Sequence, residues 1–227
     1  MIKPSLKNYF FLFLPVLFFL IYNFYFDPGY WYDEWATLFS SDPTIPIHEI
    51  YLRINGIHQG IYTLGSEENV PPYYYLFLRF FFTIFGFTTE NGRIFSIFFF
   101  SLTVWIFIPL SKIVLGKHNN FLAVLMLSLN PLILWMANET RVDTFILFFS
   151  TLNIYLFLKS LHSQKINCFF FLMFSNIAML SIYPLSFSIF FSQIAFLMYR
   201  LIFLKNKSKT LIVFCFLSFI FYLILNY

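Results

Sequence analysis

Long apolar runs separated by short basic turns fill most of this chain, and one extended hydrophilic stretch interrupts them near the N-terminus. A membrane-crossing helix needs about 20 mostly apolar residues, with roughly 17 to 25 tolerated. The first run of that kind is Tyr9 to Phe26. Asp27 to Val70 then carries Pro, Gly, His and six acids beyond Asp27. Further apolar runs cover about 93–114, 120–137, 143–160, 166–183, 184–204 and 210–226. The stretch from Ile166 to Leu204 is too long for one helix. Pro184, after Ser181-Ile182-Tyr183, divides it, because proline stops one helix and can open the next. Asn130-Pro131 predicts a kink near the end of the third run. In the hydrophilic stretch, PIHEIYLRI at 46–54 repeats its apolar positions at helical spacing, which predicts a short amphipathic helix.

One more apolar segment, PPYYYLFLRFFFTIFG at 71–86, competes for the status of a span. It is short, begins with two prolines and carries Arg79 in its middle. Charge placement decides its reading. All ten carboxylates lie between Asp27 and Glu90 or at Glu139 and Asp143. The nine lysines lie at 3, 7, 112, 117, 159, 165, 205, 207 and 209. Basic loops face the cytoplasm. If 71–86 crossed, every lysine from Lys112 onward would be inverted relative to Lys3 and Lys7. If it lies in the interface, all nine share the side of the N-terminus, and an interfacial helix tolerates Arg79. The reading is therefore an all-α integral membrane protein of about seven spans with its N-terminus inside. Its long first outer loop, 27–92, carries one or two interfacial helices.

Composition narrows the class. A mean hydropathy of +0.77, 25% aromatic residues and 11% charge exclude an ordinary soluble domain and a disordered chain. The net charge of +4 comes from short basic loops, so it signals orientation and not nucleic-acid binding. Cys168 and Cys215 sit far apart in apolar runs and read as helix residues. No small-x-small cleavage site follows the first run, so it reads as an uncleaved span. The chain stops at or just after the last run with no polar tail, which suggests a fragment of a longer protein.

Four clusters could carry chemistry. Trp31-Tyr32-Asp33-Glu34-Trp35 sets adjacent acids among aromatics where bilayer meets water. Such acids suit a general base or a divalent cation, and equally a solvated loop with belt aromatics. Glu67-Glu68-Asn69-Val70-Pro71-Pro72-Tyr73-Tyr74-Tyr75 reads as a helix start. Arg93, after Glu90-Asn91-Gly92, is an interface anchor or a phosphate-binding guanidinium. Asn138-Glu139-Thr140-Arg141-Val142-Asp143 puts three charges in a very short turn between apolar helices. There Asp143 could cap a helix and Glu139 could neutralise Arg141, but charges at membrane depth favour function. His48, His58, His118 and His162 show no metal-ligand spacing.

In this order the clusters resemble the GT-C superfamily of membrane glycosyltransferases, in the branch of protein O-mannosyltransferases and lipid A aminoarabinose transferases. The resemblance rests on Asp33-Glu34 after the first span, Pro71-Pro72-Tyr73-Tyr74-Tyr75, Arg93 opening the next span, and Asn130-Pro131 followed by Glu139, Arg141 and Asp143. It covers roughly residues 9–160. Val70 stands where many relatives have histidine. The resemblance implies a catalytic core over 1–160, with 161–227 contributing further helices of a fold usually about twice as long.

It also implies transfer of a sugar from a polyprenyl-phosphate donor to a lipid, glycan or protein acceptor, by inversion, on the outer or periplasmic face of the plasma membrane. Asp33 and Glu34 would be catalytic. Charge growing on the leaving phosphate would be met by Arg93, Arg141 or a divalent metal (Mg or Mn), and Glu139 and Asp143 would orient the arginines or hold that metal. The rival readings are a non-enzymatic membrane scaffold, a transport-related protein and an inactive transferase remnant.

Overall fold

Helix boundaries in this chain follow its punctuation. The computed structural model describes residues 17–18, 21, 32–54, 71–163, 165–203 and 209–226, and among these there is no strand. The expected first span, 9–26, lies outside the described residues apart from 17, 18 and 21. So does 55–70 of the outer loop. Two compact units divide the chain, Met1–Phe148 and Phe149–Tyr227.

In the first unit, α1 (Tyr32–Ser40) carries Asp33 and Glu34 in its first turn, where the helix dipole favours negative charge. The amphipathic helix expected at 46–54 is α2 (Ile47–Ile54). It buries Ile50 and Arg53, three residues apart on one face. The Arg53 guanidinium lies 3.8 Å from the Phe39 ring centroid and donates to the Phe39 carbonyl, and Trp35 stacks on the same ring. In the turn between these helices, Asp42 accepts from both the backbone N–H and the hydroxyl of Thr44, at 2.8 and 2.6 Å.

Helix α3 (Tyr73–Phe85) has 13 residues, so it is about 20 Å long, too short for a hydrocarbon layer of about 30 Å. Its Arg79 donates to the carbonyls of Asp42 and Pro43 at 2.9 and 3.0 Å, which ties the turn between α1 and α2 to the helix. Tyr74, Tyr75, Leu78 and Phe82 are buried, while Phe77, Phe80, Ile84 and Phe85 are exposed. Gly86 ends the helix at φ 97°. The Asn91 amide then closes the turn by donating to the Phe85 and Gly86 carbonyls at 2.8 and 2.9 Å. Thr88 caps the next helix by accepting from the Asn91 N–H.

A helical run from Thr89 breaks at Gly116, whose φ of 76° suits glycine, giving α4 (Thr89–Gly116) and α5 (Asn120–Ser128). The kink expected at Asn130-Pro131 is present. Asn130 caps α6 (Pro131–Ala137) by accepting from the Leu132 and Ile133 N–H groups, and α5 and α6 meet at 51°. Ile97, Phe100, Val104, Ile108, Val124, Leu134 and Ala137 form a core among α4, α5 and α6.

Helix α7 (Asp143–Ser163) follows, then α8 (Ile166–Ile182). A short 3-10 turn at Pro184–Ser186 separates α8 from α9 (Phe187–Phe203), at the break the sequence predicts. The last helix is α10 (Lys209–Asn226). By length and composition, α4 and α7 can cross a membrane, and α5 with α6 makes a third span if the bent pair counts as one. Helices α8, α9 and α10 are apolar but shorter than α7. Thus two to three spans stand among the described residues, where seven are expected from the whole chain.

The second unit is joined by buried amides. Asn153 of α7 donates to Ser175 and Asn176 of α8 at 3.2 and 2.6 Å, and accepts from Gln193 of α9. Asn176 donates in turn to Ser218 of α10 at 3.4 Å. Away from water such interhelical bonds are worth roughly 1 kcal/mol each.

Candidate functional site

Glu34 is the centre about which the first unit's polar residues gather. It is fully buried, and the Arg93 guanidinium grips it with both arms: Nε to Oε1 and Nη2 to Oε2, each at 2.9 Å. A bidentate, charge-assisted pair of this geometry is directional as well as strong. Oε1 also accepts from the Thr140 backbone N–H and hydroxyl, both at 3.0 Å. One carboxylate therefore joins the first turn of α1, the first turn of α4 and the turn between α6 and α7.

The close approach has a steric condition. A Cβ on Gly92 would lie 2.5 Å from Thr140 Cγ2 and Oγ1 and 3.1 Å from its Cβ. Only glycine lets the head of α4 come so near that turn. Below it, Tyr74 of α3, Phe95 of α4 and Phe145 of α7 pack ring against ring, with centroids 5.6–6.2 Å apart.

Arg141 is the second centre. Its guanidinium lies 3.4 Å from Asp33 Oδ2, 3.7 Å from Glu139 Oε2 and 3.5 Å from Asp143 Oδ2. These separations exceed the roughly 2.7–2.9 Å of a tight charge-assisted bond. Arg141 is thus held among three acids but locked to none, and a third of its side chain is exposed. Asp33, with a side chain 52% exposed, is the accessible acid.

Glu139, in contrast, is buried, and its Oε1 has no hydrogen-bond partner. Burial raises its pKa above the ordinary value of 4.5. The Arg141 charge opposes that rise, and the charges of Glu34 and Asp143 add to it.

All six residues singled out in the sequence, Asp33, Glu34, Arg93, Glu139, Arg141 and Asp143, thus belong to one cluster within the first unit. Sequence reasoning missed Gly92 and Thr140. Their only signal was position, Gly92 beside Arg93 and Thr140 between Glu139 and Arg141.

The cation at the meeting point of Asp33, Glu139 and Asp143 is the Arg141 guanidinium. No group of three or more His, Cys, Asp or Glu side chains among the described residues could hold a metal ion.

With this geometry in view, the decisive comparison is a family model described as dolichyl-phosphate-mannose-protein mannosyltransferase, which matches residues 69–225. The chain belongs to that family. Its matched part holds the Pro71-Pro72 helix start, Arg93, Asn130-Pro131 and the Glu139–Asp143 turn, while Asp33 and Glu34 lie upstream of it. No curated protein and no solved structure matches the chain. As a mannosyltransferase-family protein it is a membrane glycosyltransferase by descent, with apolar helices that can span a bilayer.

Proposed function

We propose that this protein transfers a sugar from a polyprenyl-phosphate donor to an acceptor hydroxyl at the outer, periplasmic face of the plasma membrane. The observation that carries the reading is the joining of six charged residues from three distant segments into one cluster in which Asp33 is the exposed acid. In the proposed step Asp33 removes the proton of the acceptor hydroxyl. The oxygen attacks the anomeric carbon as the bond from that carbon to the phosphate oxygen breaks, and the electron pair leaves with the phosphate. One displacement inverts the configuration.

A lipid phosphate is already a good leaving group, so cationic stabilisation matters more than a protein acid. Arg141 is the cation suited to that task, because it is partly exposed and loosely held. Arg93 and Glu34 are committed to each other, and in this reading they set the position of Asp33 and the Thr140 turn without touching the donor. Glu139 and Asp143 orient Arg141. The phosphate charge is then met by a guanidinium, and EDTA is expected to leave transfer unchanged; loss of activity restored by Mg or Mn would return these acids to a metal-binding role.

The outer location rests on charge sorting, which puts every carboxylate opposite the lysines. The test is Asp33→Asn, assayed with a polyprenyl-phosphate sugar in membranes. Transfer is expected to be abolished at unchanged expression and thermal stability. Undiminished transfer would overturn the assignment of Asp33 as the base, and absence of transfer by the parent chain would favour a scaffold or an inactive remnant.

A further inference from the structure

The second unit holds a groove that shares no residue with the acid cluster. It has a volume of about 360 Å³, near the lower end of the roughly 300–1,000 Å³ common for ligand sites. Ile154, Phe157 and Leu158 of α7 and Ile189 of α9 form its apolar lining, while Ser188, Ser192 and Gln193 of α9 give it a polar edge. Ile154 of α7 and Phe191 and Phe196 of α9 are exposed, so these helices offer a surface suited to hydrocarbon.

The polar edge has a definite chemistry. Ser188 gives its hydroxyl proton to the Leu185 carbonyl at 2.8 Å, and Ser192 gives its proton to the Ser188 carbonyl at 2.7 Å. Each serine therefore turns only lone pairs outward. Gln193 is 95% buried at the groove; its amide nitrogen donates to Asn153, and its Oε1 has no hydrogen-bond partner. The Asn153 bond belongs to the buried chain that runs on to Asn176 and Ser218, so it fixes which way the glutamine faces. An apolar groove edged by two serine acceptor oxygens, with the unpartnered Gln193 Oε1 buried beside them, asks for an apolar ligand that brings a proton donor.

We propose that this groove is a binding site for a lipid alcohol: a hydrocarbon chain lying along Ile154, Phe157, Leu158 and Ile189, with its hydroxyl donating to the Ser188–Ser192 edge. A phospholipid acyl chain would use the apolar wall and leave the acceptors unmet. A phosphate or carboxylate head would face the serine lone pairs with its own oxygens.

The test uses the full chain in nanodiscs and a long-chain primary alcohol with a photoreactive diazirine in its chain, beside the methyl ether of the same probe. The alcohol is expected to label the peptides around Ile154–Leu158 and Ile189–Gln193, and to be displaced by unlabelled alcohol. The ether should label them about fivefold less, as the loss of one hydrogen bond implies. Ser192→Ala is expected to narrow that difference, and Ile189→Trp, which fills the groove and spares the amide network, should abolish labelling there. Equal labelling by alcohol and ether would overturn the proposal in favour of a groove that takes any hydrocarbon. Absence of labelling at these peptides would overturn it in favour of a groove covered by protein.

Discussion

Replacing Glu34 by glutamine removes the charge from a pair in which Glu34 is fully buried and Arg93 nearly so, leaving the guanidinium without its counter-ion. Breaking such a pair from one side costs about 3–5 kcal/mol. Glu34→Gln is thus expected to lower thermal stability in detergent sharply, whereas Asp33→Asn, half exposed and loosely paired, should leave it unchanged. Adjacent acids would then be separated by role: one holds the structure and the other reacts. If both variants melt like the parent, the frame role of Glu34 fails.

Glu139 supplies a pH test. Its carboxyl is held above 4.5 by burial, so the folded chain binds this proton more tightly than the unfolded chain does. Its contribution to stability is therefore most favourable below the unfolded value and declines as pH rises through the folded one. Glu139→Gln should flatten the pH dependence of melting in that window. Arg141→Gln removes the charge that lowers this pKa, so the Glu139 titration, followed by carboxyl infrared absorption, is expected to move to still higher pH.

Among the elements, the head of α4 is the most constrained. Alanine is favoured over glycine inside a helix by roughly 1 kcal/mol. At position 92 that gain is outweighed, since the new Cβ would sit 2.5 Å from a buried Thr140 side chain that is hydrogen-bonded to Glu34. Overpacking of this kind costs about 1–3 kcal/mol. Gly92→Ala is expected to destabilise the protein, and adding Thr140→Ala should restore part of the loss, because the nearest remaining contact is Cβ at 3.1 Å. Stability equal to the parent in Gly92→Ala would show that the two turns separate freely.

For α3 the sequence already pointed away from a span, through Arg79 and the flanking prolines. The structure adds the reason that Arg79 is tolerated: two loop carbonyls accept from it. No sequence pattern could name those partners, since they lie 37 and 36 positions upstream.

For the molecule as a whole, the alternation of apolar runs with basic turns carries a topological claim that cysteine labelling can test. Lys117→Cys is expected to stay unreactive toward an impermeant thiol reagent added outside intact cells and to react after permeabilisation. Reaction from outside would invert α4 and the turns after it, and would place Asp33 and Arg141 on the wrong face for a periplasmic acceptor. Membership of the mannosyltransferase family supports a membrane transferase without fixing that orientation.

The positions of the described helices, the break before α9, the bend at Asn130-Pro131 and the shortness of the helix at 71–86 were legible in the chain. Each follows from local rules: apolar length, proline's missing N–H and the cost of charge in hydrocarbon. The six site residues were legible as types, because ionisable groups are scarce in so apolar a sequence. Where each one sits, and what it is paired with, was decided only by packing. Glu34 and Asp33 are adjacent, yet the helical turn between them sends one into the Arg93–Thr140 grip and leaves the other half exposed. Arg93 and Arg141 looked alike as phosphate ligands, but one is fully engaged and the other loosely held. Gly92 became meaningful only once Thr140, distant in sequence, was seen against it. Sequence determines which groups a membrane chain can tolerate; the tertiary structure alone decides which of them meet.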